Sequence, residues 1–386
     1  MRPVNAYRRM KLAWMALVVT VGCGAESRSG DDGSSGLTIV AAEAPAAVIA
    51  YRDGDGAWAT TTGAMSPISI PIATGTYTVA ITCPLKSDVD VYEMTLAELS
   101  TLTYRKPCVD SSTTISGSLD TPTTFLVAWG ATSTYPGSGS SYVISVPPGT
   151  HDLVAGRSSL FRDRLIIARD LAVSASVVHP LDFAAPDAIT VEFPAVTPTG
   201  TYESTLITAG GTAVDLGLYQ DRLGALPATA MRPDDLLMVT TRGAGGDPTL
   251  ASVISTRHIA HLPPSSMQLP PVLRPPATPR AYVTGGTSEF VEVSWQPQPT
   301  ASLYVLTIGF WSMHMSPMAF AARPSIANPD LANVPGWDPA RAIHPMQSQA
   351  WSLRAESGGS LEDLVREVPA HEMEIHSSGW AGNIRL

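Results

Sequence analysis

The stretch Ile72-Ala73-Thr74-Gly75-Thr76-Tyr77-Thr78-Val79-Ala80 decides the fold class, because a glycine turn runs directly into a strand of alternating character. Residues 146–154, Val-Pro-Pro-Gly-Thr-His-Asp-Leu-Val, repeat the pattern with the glycine 74 positions further along. A similar apolar strand precedes each copy, at Val48 to Tyr51 and at Leu126 to Trp129. The repeat therefore predicts two successive units built from β-strands.

The rest of the chain shows the same pattern, in which short apolar or alternating runs are bounded by Gly, Pro, Asp and Ser. Long helical periodicity is absent, and Gly and Pro number 31 and 33 in 386 residues. This spacing is typical of all-β sandwiches or barrels. Short helices are expected only at Leu361–Glu367, with Ser360 as cap, and at Leu96–Leu102, where Thr95 and Glu98 form a capping box.

The repeated turn and strand resemble the "PGxYxL" hairpin of prealbumin-like modules, including the carboxypeptidase regulatory-like family. The resemblance covers about 35 residues in each copy and implies tandem β-sandwich domains at 37–112 and 113–190. Residues 191–265 are predicted to form a further β-rich domain. A proline-rich linker at 266–279 follows. Trp295 and Tyr304 give residues 280–386 a resemblance to fibronectin type III domains, with an irregular C-terminal part.

The amino terminus has the three parts of a signal peptide over residues 1–22. Four basic residues precede the apolar run Leu12 to Val21, which is too short for a permanent membrane span. Val19-Thr20-Val21-Gly22-Cys23 resembles the bacterial lipobox, which implies lipidation of Cys23 and cleavage before it. Ordinary signal-peptidase cleavage is the alternative. Residues 23–36, rich in Ser, Gly and Asp, are expected to be a disordered tether.

These features predict a protein of the bacterial cell envelope that is attached to the membrane through its lipid. Gly24 favours an outer-membrane destination over inner-membrane retention. Loss of residues 1–22 removes four positive charges and no acids, so the formal charge goes from −10 to −14. An acidic body argues against nucleic acid as a partner and leaves envelope proteins or glycans.

Cys83 and Cys108 are the only cysteines in the exported body. An isolated pair 25 positions apart in an exported chain is most simply a disulfide. Such a bond stabilises by roughly 3 kcal/mol in the chain-entropy treatment. A metal site is the competing interpretation, but a pair of thiols without a neighbouring histidine makes a poor one.

Four groups of residues have side chains suited to chemistry, and each also has a structural interpretation. His371 and His376 are five apart, which does not suit the zincin motif and favours a terminal strand. His258 and His261 lack identifiable further ligands. Met313-His314-Met315, with Trp311 and Met318 nearby, suits either copper or a β-sandwich core. Asp53-Gly54-Asp55-Gly56 suits either calcium or a turn.

Neither a Gly-x-Ser-x-Gly elbow nor a phosphate-binding glycine loop occurs in the chain. No catalytic residue, metal or cofactor is therefore predicted. The tryptophans could build cores or offer stacking surfaces for sugars: Trp58, Trp129, Trp311, Trp337, Trp351 and Trp380. We expect a non-enzymatic, lipid-anchored structural or interaction module. The alternatives are a carbohydrate- or peptidoglycan-binding lipoprotein and an enzyme whose site is assembled from distant loops.

Overall fold

Strands dominate the fold, as the alternating runs predict. The computed structural model describes residues 36–84, 88–106, 108, 113–130, 132–157, 163–197, 200–244, 251–267, 280–284, 290–294, 297–341, 348–366 and 369–385. The all-β fold class is confirmed. The signal peptide and nearly all of the tether and linker lie outside the described residues. None of the helices in the described part has the length and apolar character needed to span a membrane.

Within the described ranges, twenty-four strands and two short α-helices follow one another. The first twelve strands are β1 Gly36–Val40, β2 Val48–Asp53, β3 Ala59–Thr62, β4 Ile68–Pro71, β5 Thr76–Thr82, β6 Val89–Thr95, β7 Thr101–Thr103, β8 Thr113–Trp129, β9 Thr132–Val146, β10 Gly149–Arg157, β11 Arg164–Val173 and β12 Val177–Val178. The remaining strands are β13 Ile189–Thr190, β14 Thr201–Ile207, β15 Ala213–Gln220, β16 Leu236–Ala244, β17 Ala251–Ala260, β18 Arg280–Thr284, β19 Phe290–Ser294, β20 Leu303–Ile308, β21 Trp311–Met315, β22 Ser325–Ala327, β23 Ser348–Ser357 and β24 Met373–Arg385. The helices are α1 Pro317–Ala322 and α2 Leu361–Val365, and one-turn 3₁₀ helices span Gly63–Met65, Ala228–Ala230 and Pro339–Arg341.

A twelve-stranded sheet organises the described chain. Its strand order is β15-β14-β16-β17-β24-β23-β20-β21-β6-β5-β2-β3. Only the β21–β6 pair is parallel among these neighbours. Strands from the predicted segments 37–112, 191–265 and 280–386 thus share one sheet, and its order is not the order of those segments. The segment boundaries themselves stay a prediction.

The strands between Thr113 and Thr190 form a separate six-stranded sheet. Its path is β12-β8-β10-β11-β13, with β9 paired to β8. The two copies of the sequence repeat occupy equivalent places, because β5 pairs antiparallel with β2 and β10 pairs antiparallel with β8. At the first turn Gly75 has φ of 79°, a left-handed conformation that glycine adopts without strain.

Both faces of the large sheet are covered by other layers. On one face Ile49 and Val79 pack with Leu37 and Ile39 of the three-stranded sheet β4-β1-β7. On the other face Ala50, Val91 and Leu306 pack with the sheet β18-β19-β22 and with Phe320 of α1. Because neighbouring residues of a strand point to opposite faces, this alternation produces stacked, sandwich-like layers.

The six-stranded sheet packs on the β14–β16 end of the large sheet, where Leu126 and Val154 meet Leu206 and Leu237. A buried ion network crosses this junction. Arg169 of β11 lies 2.9 Å from Asp152 of β10 and 2.6 Å from Asp235, which precedes β16.

Both carboxylates of this network have fully buried side chains, and Arg169 is 16% exposed. Backbone N–H groups complete the network: Asp170 donates to Asp152, and Ala209 and Arg232 donate to Asp235. The charges are therefore both paired and hydrogen-bonded, as buried charges require.

The predicted disulfide is confirmed. Cys83 and Cys108 are bonded, with their Cα atoms 5.4 Å apart, and both are buried in the core beneath β1. The bond joins the end of β5 to the chain that follows β7.

One of the two predicted helices is confirmed. Helix α2 begins after Ser360, whose hydroxyl accepts the Asp363 N–H. The prediction of a helix at Leu96–Leu102 is wrong, since only a turn follows Thr95 and strand β7 begins at Thr101. The physical reason is tertiary: Glu98 accepts the Met318 N–H and so caps α1, while β7 pairs with β1.

Candidate functional site

A row of polar side chains crosses three neighbouring strands near one end of the large sheet. Arg52 of β2 is paired with Thr78 of β5, and Thr78 is paired with Glu93 of β6. Directly paired residues project from the same face, so the three side chains lie side by side. The next row on that face, Ala50 and its partners, is buried in the core. The polar row therefore lies where the apolar layer ends.

Helix α1 forms the opposite side of this row. Ser316 caps the helix and accepts the Ala319 N–H, and Glu98 reinforces the cap through a hydrogen bond from the Ser316 hydroxyl. Arg323, directly after the helix, donates to both oxygens of Glu93 at 2.7 and 2.5 Å. This ion pair joins residues that are 230 positions apart in the chain.

A cavity of about 220 Å³ lies between the polar row and α1. Two guanidinium groups and two carboxylates line it, together with threonine hydroxyls. The lining residues are Arg52, Gly54, Asp55, Thr76, Tyr77, Thr78, Glu93, Ala319, Ala322 and Arg323. We call this the Arg52 cavity.

The guanidinium of Arg52 is held on two sides. Its Cζ lies 4.9 Å from the ring centroid of Trp58, and its Nε donates to the Thr78 hydroxyl at 3.3 Å. Among the described residues its outer N–H groups have no hydrogen-bond partner. Stacking on an aromatic ring is a favoured arrangement for arginine that leaves its fork free for a carboxylate.

The two carboxylates of the cavity differ in environment. Burial raises the pKa of Glu93, while the charges of Arg323 and Arg52 oppose that rise. Asp55 is exposed at the rim and makes no hydrogen bond or ion pair with the described residues. The cavity thus contains one satisfied ion pair, Glu93–Arg323, and two charges of opposite sign that are available.

The Asp53-Gly54-Asp55-Gly56 segment is the connection between β2 and β3. Asp53 accepts the N–H groups of Ala73 and Thr74 at 2.8 and 3.1 Å and the Thr74 hydroxyl at 2.5 Å. The Thr74 hydroxyl bond is the main reason that the pKa of Asp53 is lowered. Asp53 therefore ties two loops together, which favours the turn interpretation over calcium.

The Met313-His314-Met315 run is strand β21, and its side chains diverge. Met313 and Met315 are buried in the core on the α1 face of the sheet. His314 faces the other way, stacks on Tyr92 with ring centroids 4.9 Å apart, and has its pKa lowered by burial to about 3. The methionines and the histidine cannot act together on one ion, so the core interpretation is favoured.

Of the two histidines near the C-terminus, His376 lies on strand β24, as predicted, whereas His371 precedes the strand and lies 3.7 Å from Asp363. Glu374 of β24 lies 3.0 Å from His376 and 3.5 Å from His258 of the neighbouring β17. His261 faces elsewhere, and its Nδ1 lies 3.0 Å from the Asp235 carbonyl. Within the described ranges, no three His, Cys, Asp or Glu side chains are grouped so that they could hold a metal ion.

The tryptophans separate into two groups. Trp129, Trp311, Trp337 and Trp351 are buried core residues. Trp58 is half-buried beside the Arg52 cavity. The side chain of Trp380 and all of Trp295 lie outside the described residues.

Sequence reasoning missed the Arg52 cavity. A local signal existed, since Arg52 interrupts an apolar alternation that begins with Val48 and Ala50. The partner Arg323 could not be found this way, because nothing local in the chain relates it to β2 or β6. Comparison with known proteins finds no matching family model and no matching curated protein.

Proposed function

We propose that this chain is a lipid-anchored protein of the bacterial envelope, with the outer membrane as its destination, that acts as a non-enzymatic structural or interaction module. The proposal rests first on the amino terminus, where a basic region and a short apolar run precede the lipobox-like Val19–Cys23. An acidic β-sheet body follows.

The observation that carries the proposal is the state of the cysteines. The chain has three, and Cys83 and Cys108 are bonded to each other. Cys23 is the remaining thiol, at the position where a lipobox requires one. A stable disulfide is also typical of exported proteins, because cytosolic thiols are kept reduced.

The tether suits this role. Residues 24–36 are rich in Gly, Ser and Asp, a composition typical of linkers between an anchor and a folded body. Several acyl chains on one cysteine give the firm attachment that one chain does not.

Binding of a carbohydrate or of peptidoglycan is the second candidate function. The Arg52 cavity favours it, since a concave site with converging polar groups beside an aromatic ring is the usual form of a small-ligand site. In this version the lipid anchor holds a binding module next to its ligand.

The anchoring is tested by expressing the full chain in a bacterial host and isolating its mature form. Mass spectrometry is expected to find a mature chain that starts at a modified Cys23, and wild-type protein should fractionate with membranes. Cys23→Ala should abolish the modification and release the protein. The matched control is Cys83→Ser with Cys108→Ser, which should stay membrane-bound. An unmodified start further downstream would refute the anchor. A glycan array tests the second candidate.

A further inference from the structure

We propose that the Arg52 cavity binds a small zwitterion, an α-amino acid unit whose carboxylate contacts Arg52 and whose ammonium group contacts Asp55. The inference goes beyond the second candidate function and shares with it only the premise that the cavity is a ligand site. It does not depend on the lipid anchor.

The first argument is charge matching. Glu93 and Arg323 satisfy each other through a two-oxygen contact. Two charged groups of the cavity remain: the Arg52 guanidinium, with its outer N–H groups free, and the Asp55 carboxylate. Both are close enough to Glu93 to affect its pKa. A ligand that satisfies one available cation and one available anion must itself carry both signs.

The second argument is preorganisation. Trp58 and Thr78 hold the Arg52 guanidinium in place. The carboxylate of Asp53 fixes the turn that carries Asp55 by three hydrogen bonds to the 73–74 loop. A site whose cation and whose carboxylate-bearing turn are already positioned loses less entropy when a ligand binds.

The turn leaves little freedom for another arrangement. Gly54 has φ of 51°, and a Cβ there would lie 2.9 Å from the Thr74 hydroxyl. The tight approach of the two loops therefore depends on glycine next to Asp55.

The third argument is size. The cavity has a volume of about 220 Å³. This is below the roughly 300–1,000 Å³ of pockets for drug-sized ligands. A single small unit fits, which favours an amino acid with a short side chain.

Other small ligands match the charges less well. A neutral sugar would cover Arg52 and Asp55 without neutralising either, and desolvated charges are costly unless paired. A simple carboxylate would satisfy Arg52 but would lie near two carboxylates. A simple amine would satisfy Asp55 but would lie near the two guanidinium groups of Arg52 and Arg323.

Isothermal titration of the full mature chain in detergent micelles tests the proposal, with L- and D-alanine as probes. Acetate, ethylamine and N-acetylglucosamine are the ligand controls. We expect saturable binding of alanine and none of acetate or ethylamine at the same concentrations. Arg52→Gln and Asp55→Asn should each weaken alanine binding about tenfold or more, since each removes a charge-assisted contact.

Arg52→Lys keeps the charge but loses the planar fork, so it should bind more weakly than wild type and more tightly than Arg52→Gln. Arg232→Gln is the matched control, because the Arg232 side chain is 40% exposed, forms an ion pair with the exposed Asp170 and lies outside the cavity. Unchanged far-ultraviolet circular dichroism will show that each variant is folded.

Failure to bind either alanine, or binding that Arg52→Gln and Asp55→Asn leave unchanged, would overturn the inference. Saturable binding of N-acetylglucosamine without alanine would overturn it too, while supporting the second candidate function. Equal binding of acetate and alanine would show an anion site instead. None of these outcomes bears on Cys23, whose modification is measured separately.

Discussion

Replacing Arg169 by methionine would leave Asp152 and Asp235 buried without a counter-ion. Both carboxylate side chains are fully buried, and Arg169 is the cation in contact with them. Removing one partner of a buried ion pair typically costs about 3–5 kcal/mol, because the remaining charge keeps its desolvation penalty. The apolar methionine side chain offsets only part of the lost packing. We therefore expect the free energy of unfolding at pH 7 to fall by about 3 kcal/mol or more.

Urea unfolding followed by circular dichroism, with linear extrapolation to water, measures this loss. The matched control is Arg232→Met, which breaks the Arg232–Asp170 pair, whose side chains are 40% and 62% exposed. Exposed pairs contribute about 0–1 kcal/mol, so this variant should stay close to wild type. If the two variants lost the same small amount, the buried network would not stabilise the sheet junction and the reasoning would be refuted.

The pH dependence gives an independent check. The pKa of Asp152 is lowered despite burial, through the Asp170 N–H and the Arg169 contact. Its contribution to wild-type stability is therefore present above the ordinary value of 3.8 and is lost as the pH falls through the lowered pKa. In Arg169→Met the unpaired carboxylates are relieved by protonation. The stability difference between wild type and variant should therefore narrow on acidification from pH 7, and a constant difference would count against this account.

Three further predictions concern other parts of the fold. Replacing Cys83 and Cys108 together by serine should lower the free energy of unfolding by roughly 3 kcal/mol in urea, and reductant should do the same to wild type but not to the variant. Burial lowers the pKa of His314 from 6.5 to about 3, so its contribution to stability is present above 6.5 and is lost as the pH falls towards 3. His314→Phe should therefore flatten the pH dependence of the unfolding midpoint over that window, and an unchanged slope would show that other groups cause it. Glu98→Ala removes the hydrogen bonds that reinforce the α1 cap, so it should cost about 1 kcal/mol in urea unfolding and weaken alanine binding, whereas Glu362→Ala on α2 should leave binding as it is.

Local patterns were enough for several elements of this protein. The alternation after Gly75 predicts β5, and Ser360 predicts the start of α2, because strands and caps depend on residues a few positions apart. The disulfide followed from the scarcity of cysteine. The capping box at Thr95 and Glu98 predicted a helix that does not form, because Glu98 instead caps the helix that starts at Pro317.

The candidate site was beyond such reasoning. Arg52 and Asp55 are close in the chain. Their charges are left for a ligand, however, only because Glu93 and Arg323 pair with each other. That pair forms because β6 lies parallel to β21, which leads into α1. No local pattern encodes a pairing between strands more than 200 residues apart, since its free energy comes from packing that exists only once the sheet has formed.

By itself, then, the sequence determined the all-β class, the repeated turn-and-strand unit, the Cys83–Cys108 bond and the expectation of an anchor at Cys23. These depend on side-chain alternation, turn geometry and composition, which act over short distances. Only the tertiary structure decided that strands from the two ends of the chain join in one twelve-stranded sheet. It also decided that the polar end of that sheet, closed by α1, forms a charged cavity. The physical reason is that strand order is selected by burial of both sheet faces together, and no single segment contains that information.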